Sequence, residues 1–474
     1  MTLEQLTKDV QTIAIICNQW GDSGKGKFVD YFAEWADVIV RGTGGNNAGH
    51  TIVTNCKKRI FHLVPSGILH KDKINILGNG TVIDLEVLVG ELDELTRGGI
   101  TYNNLMISED AHVILPYHVK RDIKRNASQK KGAIGSTGRG IGPCYADKIA
   151  RRGIMIRDLF NKDILAKKIG KAKEYYQEQD IDIEYIVEEL GLYAERIKPF
   201  VRDTISEMHE FIRHGKKILL EGAQGLLLSI EFGTYPYVTS SDSSVNGVAA
   251  GVGLSAKVVD LPLGIVKFPY MTRVGAGPFP TEFGGAKSEG YCASGLEHDI
   301  KYELKNYRIS FEEKNGSIEY NYHDPKIIEL MNSNKPFLQG IGIRLAGEEY
   351  GATTGRPRRT GWTDLAALKY AIGINGPNII LTKADVVQGA NEIKLGTGYN
   401  NSENFTRDSE RLRSYKPEYQ QFPGFKEDIS QIKDYKDLPD NLRDSINFLE
   451  RYTGAGVRII STGPDRNQTI IKDL

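Results

Sequence analysis

The most informative part of the sequence is QWGDSGKGK, residues 19–27. From Gly21 to Lys27 it satisfies the phosphate-binding pattern G-x-x-x-x-G-K, but Phe28 follows where an ordinary P-loop has a magnesium-binding serine or threonine. Glycines let backbone amides approach an oxyanion closely, and the two lysines add positive charge. Asp22 inside the loop has the chemistry to hold a cation or accept a proton. The sequence therefore predicts a phosphate loop that is unlike that of standard NTPases and also takes part in chemistry.

The residues on both sides of this loop have the pattern that a phosphate loop requires. Residues 13–17, IAIIC, form a short apolar run typical of a strand, and apolar residues then recur at helical spacing from Val29 to Ala36. A strand, a loop and a helix in this order are the expected setting. The alternative is a merely structural turn, because a chain with 51 glycines matches such patterns by chance.

Composition narrows the class of protein. The 474 residues include 61 basic and 61 acidic side chains, and zero net charge argues against broad capture of nucleic acid or of an anionic membrane. The four cysteines are scattered without a C-x-x-C pair, which favours reduced thiols over a disulfide frame or a zinc site. The sequence has no apolar run long enough for a membrane span. We expect a soluble, cytoplasmic protein.

Several short apolar runs end in glycine-rich polar turns, and together they indicate the fold class. They lie at 38–40, 74–77, 218–220, 379–381 and 457–460. Continuous rather than alternating apolar runs indicate strands buried on both faces, hence an α/β fold with a largely parallel central sheet flanked by helices. Ligands of such sheets bind at the carboxyl ends of the strands. We expect one domain over residues 1–474.

Two segments stand apart from this pattern. Residues 161–215 have helical periodicity with a break at Pro199, and we interpret them as a peripheral helical cap. Residues 284–350 are polar, with a possible hairpin around Asn315-Gly316, and we interpret them as an insertion. A surface elaboration is the favoured role for the insertion, while oligomer contact and control of the loop that follows it stay open.

A second polar cluster, GGNNAGHT at residues 44–51, follows the run at 38–40 and contains His50. A lone histidine is usually structural. Here the glycines and asparagines around it indicate a backbone folded tightly about a ligand, so we favour a functional His50.

Nine stretches, in order along nearly the whole chain, resemble the adenylosuccinate synthetase family. They are QWGDSGKGKFVD (19–30), GGNNAGHT (44–51), GSTGRGIGPCYADKIARRG (135–153), EGAQG (221–225), GTYPYVTSS (233–241), TRVGAGPFPTE (272–282), GATTGRPRRTGW (351–362), LTKADV (381–386) and STGPDR (461–466). The resemblance implies a homodimeric, magnesium-dependent ligase of AMP biosynthesis. It would join IMP and L-aspartate to adenylosuccinate through a 6-phosphoryl-IMP intermediate, while GTP is converted to GDP and phosphate.

The resemblance also implies roles for individual residues. Asp22 matches the general base that takes the N1 proton of IMP, and it would hold magnesium together with the Gly49 carbonyl. His50 matches the general acid, and Lys25 and Gln224 complete the catalytic set. The implied GTP contacts are Gly21, Ser23, Gly24, Lys25, Gly26, Lys27, Gly49, Thr51, Lys383, Asp385, Ser461 and Gly463. The implied IMP contacts are Asn47, Thr137, Gln224, Thr239 and, from the partner subunit, Arg151; those to L-aspartate are Thr353, Thr354, Arg356 and Arg358.

Two of the stretches also carry chemistry of their own. In LTKADV, Lys383 and Asp385 are two residues apart at a strand end and should point the same way, and a carboxylate there can accept two hydrogen bonds from guanine but not from adenine. In GATTGRPRR, Pro357 favours an extended chain that places Arg356 and Arg358 on one side as a receptor for carboxylates. The alternatives are an ordinary solvated ion pair and a solvated basic loop.

Alternatives to IMP ligation remain. Ser23 stands where the family usually has glutamate, whereas related enzymes acting on dGMP have serine in place of the preceding aspartate. Retention of Asp22 favours IMP over dGMP as substrate. A guanine-nucleotide switch without ligase chemistry is a further alternative, but it would leave His50, Gln224 and the arginine-rich stretch unexplained.

Overall fold

The computed structural model describes residues 2–54, 57–128, 137–314, 317–351, 355–400 and 402–473. At 51–54, 57–58, 126–128 and 317 it describes the backbone alone. No helix within these ranges has the length and apolar character needed to cross a membrane.

In the described ranges, the strands form one large sheet and five small two-stranded ones. In chain order they are β1 Thr12–Cys17, β2 Val38–Arg41, β3 His50–Thr54, β4 Lys57–Phe61, β5 Ile74–Leu77, β6 Val82–Ile83, β7 Leu105–Ser108, β8 His112–Val113, β9 Val201–Arg202, β10 Ile218–Glu221, β11 Leu261–Lys267, β12 Tyr270–Arg273, β13 Phe311–Lys314, β14 Ser317–Tyr320, β15 Arg359–Trp362, β16 Asn378–Thr382, β17 Glu392–Tyr399, β18 Pro417–Pro423, β19 Gly456–Ser461 and β20 Thr469–Ile471.

The helices flank this large sheet. They are α1 Leu3–Leu6, α2 Lys25–Ala33, α3 Leu85–Arg97, α4 Pro116–Ser128, α5 Ile141–Ile149, α6 Lys162–Tyr176, α7 Ile183–Ile197, α8 Thr204–Arg213, α9 Val245–Ala250, α10 Ala286–Ala293, α11 Ile300–Asn306, α12 Pro325–Met331, α13 Pro336–Gly347, α14 Leu365–Asn375, α15 Ser409–Ser414 and α16 Asp440–Thr453.

The large sheet has the strand order β20-β19-β16-β11-β1-β10-β2-β5-β7-β9, and its pairs are parallel except for β20 against β19. The predicted α/β class with a largely parallel sheet is confirmed. β1 is buried along its whole length because it pairs with β10 on one side and β11 on the other. The chain leaves β1 toward β2, β5 and β7 and later builds the other half with β11, β16 and β19. The carboxyl end of β1 is therefore a topological switch point, where ligands of such sheets bind.

Segment 161–215 contains α6, α7 and α8. Pro199 lies in a single 3₁₀ turn, Lys198–Phe200, directly after α7. The segment also contributes β9, which pairs with β7 at the edge of the large sheet. The division into one domain with a cap and an insertion stays a prediction.

Segment 284–350 contains α10 to α13 and an antiparallel pair, β13 with β14, in which Phe311 lies opposite Tyr320. The turn at Asn315-Gly316 lies outside the described residues. Surface elaboration is the wrong interpretation for α13, because residues 340–347 are all buried and Ile341 and Ile343 belong to the largest apolar cluster. The polar composition of the segment misleads because some of its charged residues are buried as pairs.

Candidate active site

The predicted phosphate loop lies between β1 and α2, at the carboxyl edge of the sheet. Gly21 and Gly24 have positive φ angles of 84° and 88°, and Gly24 caps the start of α2. Asp22 also has a positive φ, 53°, which is uncommon for a residue with a side chain. A glycine-rich loop with left-handed residues that leads into a helix N-terminus is the arrangement that binds phosphate. Three predicted GTP contacts, Gly21, Ser23 and Gly24, lie in this loop, and the next two, Lys25 and Gly26, begin α2.

Hydrogen bonds join this loop to the two neighbouring loops that follow β2 and β10. Lys25 Nζ donates to the Gln224 carbonyl at 2.6 Å, and Gln224 Nε2 donates to Asn47 Oδ1 at 3.1 Å. At Gly44, a Cβ would lie 2.8 Å from the Ala223 side chain, so glycine is required for this approach. The structure therefore brings together three stretches that are far apart in sequence.

His50 forms a buried acid–base pair with Glu221. Nδ1 of His50 contacts Glu221 Oε1, and Ser66 donates to the same carboxylate from its hydroxyl at 2.7 Å and from its amide at 3.0 Å. Burial lowers the pKa of His50. Burial alone would raise the pKa of Glu221, but His50, Arg41 and Ser66 outweigh it and lower that pKa to about 2. Glu221 is therefore a carboxylate that favours a proton on Nδ1 of His50 and orients the imidazole ring.

Glu221 escaped the sequence-based predictions. The available signal was an acid at the end of the apolar run 218–220, immediately before a glycine. Ligands of parallel sheets bind at the carboxyl ends of the strands, so an acidic residue at such a strand end lies at the ligand site.

Asp22 belongs to a second chain of charges. Its Oδ2 lies 2.5 Å from Arg358 Nη2, and Nη1 of the same arginine donates to Glu349 Oε2 at 2.9 Å. Lys267 Nζ donates to both oxygens of Glu349 at 2.7 Å, and the Tyr270 hydroxyl donates to one of them at 2.6 Å. Burial lowers the pKa of Lys267 to about 8, although Glu349 opposes this effect. Glu349 and Lys267 were not predicted, because neither stands in a recognisable spacing.

The predicted guanine-binding residues lie at the ends of β16 and β19. Lys27 Nζ donates to Ser461 Oγ at 2.6 Å and to the Gly463 carbonyl at 2.8 Å, and burial lowers the pKa of Lys27 to about 7. Asp385 acts electrostatically on Lys27, and burial raises the pKa of Asp385. The Lys27 ammonium therefore lies among the predicted guanine-binding residues rather than at the centre of the phosphate loop.

The expectation that strand alternation points Lys383 and Asp385 the same way is wrong. β16 ends at Thr382, Lys383 has a left-handed backbone with φ 66°, and Asp385 lies in the 3₁₀ turn Ala384–Val387. Strand alternation therefore does not apply. Lys383 Nζ instead donates to the Gly347 carbonyl at 2.9 Å.

A cleft of about 320 Å³ opens beside the loop that contains Gln224. Four of the five predicted IMP contacts line it: Asn47, Thr137, Gln224 and Thr239. Arg151 does not line it; this residue is exposed, has φ 61°, and follows the carboxyl end of α5. The cleft is also lined by the start of α5 at residues 141–143.

The predicted pair of arginines is divided in this structure. Arg358 is half-buried against Asp22, whereas Arg356 is exposed and lies beside Gly295, where an added Cβ would be 3.4 Å from its Nε. The expectation that both face one side is wrong here because Asp22 and Glu349 draw Arg358 inward. Thr353 and Thr354 lie outside the described residues, as does the side chain of Thr51.

A phosphate loop, an anchored histidine and a cleft at the carboxyl ends of parallel strands define a nucleotide-dependent α/β enzyme. Comparison with known proteins identifies the family: the adenylosuccinate synthetase model matches residues 14–470, so the chain belongs to that family. Its activity is the GTP-dependent ligation of IMP and L-aspartate in AMP biosynthesis.

Individual relatives agree over almost the full length. The adenylosuccinate synthetase of Halothermothrix orenii is 40% identical over 97% of this chain and 98% of its own. That of Thermodesulfovibrio yellowstonii is 41% identical, with 98% and 99% covered. The fully ligated Plasmodium falciparum enzyme has a TM-score of 0.81 at 34% identity, covering 98% of this chain and all of its own.

A more distant structural likeness concerns the dGMP alternative. The succinoaminodeoxyadenylate synthetase of cyanophage S-2L, solved with dGMP and dATP, has a TM-score of 0.56 at 19% identity over 98% of this chain and 96% of its own. At that identity the likeness shows the fold alone. The dGMP alternative is not favoured.

Proposed function

We propose that the chain joins IMP to L-aspartate in two chemical steps: GTP phosphorylates O6 of IMP, and the aspartate amine then displaces phosphate from C6. The observation that carries this proposal is the joining of the Asp22 loop, the His50 stretch and Gln224, beside a cleft lined by four predicted IMP contacts. One base and one acid, placed around a phosphate site, are what this reaction requires.

The phosphoryl group of GTP is positioned by the phosphate loop. Lys25 is held by the Gln224 carbonyl at 2.6 Å and is close enough to His50 to act on it electrostatically. The first amides of α2 and Lys25 together stabilise charge on the transferring group. Phosphoryl transfer depends on positioning and charge stabilisation, which these residues supply.

Asp22 acts as the base after a substrate anion has replaced it as the partner of Arg358. In this structure its carboxylate is 33% exposed and paired with Arg358, so it is not yet directed at a purine. The carboxylates of L-aspartate or phosphate oxygens of the nucleotides compete for the same guanidinium. Binding of substrate anions to Arg358 therefore frees Asp22 to take the N1 proton as negative charge moves to O6.

His50 acts as the acid, and Glu221 orients it. In the free protein, burial keeps the imidazole mostly neutral near pH 7, with its proton on the nitrogen that faces Glu221. A phosphate oxygen brought to Nε2 adds a second negative partner and favours the imidazolium. The ring then donates a proton or a hydrogen bond at O6 or at the leaving phosphate.

The residues fit a magnesium ion that is shared with the nucleotide. Mg²⁺ in phosphate sites is held by one or two carboxylates and by substrate phosphates, and Asp22 and the Gly49 carbonyl offer oxygen ligands of this kind. Within the described ranges, no three His, Cys, Asp or Glu side chains gather to hold a metal by themselves. When bound, the ion would neutralise phosphate charge.

The remaining assignments rest on position. Asp385, Ser461 and Gly463 would bind guanine near Lys27, and Arg358 with the stretch 353–356 would bind L-aspartate. Arg151 is exposed and outside the cleft, so it would reach the IMP phosphate of a partner subunit in a homodimer. The cytoplasmic location stays a prediction from the scattered cysteines.

A product assay tests the proposal. The purified protein is incubated with Mg²⁺, GTP, L-aspartate and either IMP or dGMP, and products are separated by chromatography. We expect adenylosuccinate and GDP in equal amounts with IMP, and little product with dGMP. GTP hydrolysis that does not respond to IMP and aspartate would favour the switch alternative, and preferential use of dGMP would overturn the substrate assignment.

A further inference from the structure

Segment 284–350 contains a fully buried ion pair outside the catalytic groups. Glu303 on α11 and Arg344 on α13 are 0% and 1% exposed. Arg344 Nε donates to Glu303 Oε1 at 3.0 Å and Nη2 donates to the same oxygen at 2.8 Å. Such a pair costs much desolvation and contributes little net stability compared with an apolar pair. Its presence calls for a role other than filling the core.

The pair is bonded to both ends of the arginine loop, residues 350–358. At one end, the Tyr350 hydroxyl donates to Glu303 Oε2. At the other end, Arg344 Nη1 donates to the Arg358 carbonyl at 2.8 Å. The two ends are also bonded to each other, because Tyr350 bridges to Pro357 in antiparallel register. The ion pair thus fixes the backbone from which the Arg358 side chain reaches Asp22.

The same segment supports the loop at a second place. An added Cβ at Gly355 would lie 3.3 Å from the Leu296 side chain, and one at Gly295 would lie 3.4 Å from Arg356 Nε. The connection between α10 and α11 therefore packs against the loop next to the predicted aspartate contacts.

We propose that Glu303, Arg344 and Tyr350 are positioning residues that set the affinity for L-aspartate by holding Arg358. This inference rests on the proposed binding of aspartate by Arg358. The planar guanidinium of Arg344 donates in two directions at once, to the Glu303 carboxylate and to the Arg358 carbonyl, which a lysine ammonium at the same place does not reproduce. A small displacement of Arg358 misplaces its fork relative to a substrate carboxylate, and such misplacements are costly.

The test compares Arg344→Lys and Tyr350→Phe with a matched control. Tyr399→Phe also removes a buried tyrosine hydroxyl from a carboxylate, since Tyr399 donates to Asp364 at 2.7 Å, but it lies outside the site. KM for L-aspartate, GTP and IMP, kcat and the melting temperature are measured for each full-length protein. We expect KM for aspartate to rise about tenfold or more in the two loop variants, as for a positioned bond to a charged group, with KM for GTP and IMP changing less than about twofold. The control should lower the melting temperature to a similar extent while leaving KM for aspartate unchanged.

Two results would overturn the inference. One is a loss of thermal stability in Arg344→Lys and Tyr350→Phe with an unchanged KM for aspartate, which would make the pair purely structural. The other is an equal rise in all three KM values. If the wild-type protein formed no adenylosuccinate, the proposed function itself would fail, and that outcome is seen before any variant is compared.

Discussion

Replacement of Glu221 by glutamine tests how His50 is made into an acid. Glutamine keeps the shape of the side chain but removes its charge and one of its acceptors. In the wild type, Nδ1 of His50 and the two donors of Ser66 all bond to the carboxylate. In either orientation of the glutamine amide, its NH₂ group would face one of these donors and could not accept a hydrogen bond from it. The variant therefore changes the electrostatics of His50 with little change in volume.

The expected magnitude follows from burial. Glu221 is 0% exposed and His50 is 5% exposed, so solvent screens their interaction poorly. In the proposed acid step His50 is protonated and forms a buried ion pair with Glu221, and removing one partner of such a pair costs about 3–5 kcal/mol. If this loss is felt in the transition state, kcat falls by roughly 100-fold to 4,000-fold at about 1.4 kcal/mol per factor of ten. General acid catalysis contributes a similar amount.

The assay is the pH dependence of kcat for the wild type and for Glu221→Gln, with all three substrates saturating. Without the carboxylate, the pKa of His50 falls further, because burial already lowers it and Glu221 is what opposes that effect. The loss of activity should thus be larger at pH 8 than at pH 6. Ser66→Ala is the control: it removes a hydroxyl donor but leaves the charge, and it should lower kcat by less than about tenfold.

The proposed role of Glu221 is wrong if the folded Glu221→Gln protein has a kcat within about threefold of the wild type. It is also wrong if the loss of activity is the same at every pH. Folding is checked by thermal denaturation, and binding by calorimetric titration of GTP and IMP. Lost nucleotide affinity with unchanged kcat would place Glu221 in substrate binding instead.

Four further predictions address other parts of the site. Asp22→Asn should bind GTP and IMP as the wild type does but lose at least about 100-fold in kcat, since it retains the shape of a base without its function; isothermal titration and initial rates check this. Asp385→Asn should weaken GTP binding and reduce its preference over ATP, measured as the ratio of kcat/KM values. An equal mixture of inactive Arg151→Leu and Asp22→Asn subunits should regain about a quarter of wild-type activity if Arg151 acts across a two-fold dimer, whereas no recovery would place both residues in one subunit. Because the pKa of Glu221 is lowered from 4.5 to about 2, its contribution to stability is complete above pH 4.5 and is lost as pH falls toward 2; acid unfolding followed by circular dichroism should begin at lower pH in the wild type than in Glu221→Gln.

Much of the fold was predictable because its signals are local. The run at 13–17 is continuously apolar, so it predicted a strand, and β1 is that strand; its place in the middle of the large sheet was not predicted. Asp22, Lys25 and His50 were predicted as site residues because glycine-rich turns after such strands lie at the carboxyl edge of the sheet. The cleft likewise gathers residues as far apart in sequence as Asn47 and Thr239.

The parts that were missed are pairings between distant residues. Glu221 is 171 residues from His50, Lys267 is 82 residues from Glu349, and Glu303 is 41 residues from Arg344. A single sequence does not reveal which of its charged side chains are buried together, since each looks like a solvated surface residue. The error over Asp385 has a different cause: β16 ends at Thr382, so Lys383 and Asp385 lie beyond the strand, and the left-handed Lys383 redirects the chain.

In the proposed reaction, the site activates O6 of IMP by phosphorylation before the aspartate amine attacks C6. The fate of an oxygen-18 atom placed at position 6 of IMP tests it most directly. The phosphate released during adenylosuccinate synthesis is analysed by mass spectrometry. If O6 is phosphorylated, each phosphate formed carries the label from IMP; unlabelled phosphate, with its new oxygen taken from water, would show that GTP is hydrolysed without passing through O6.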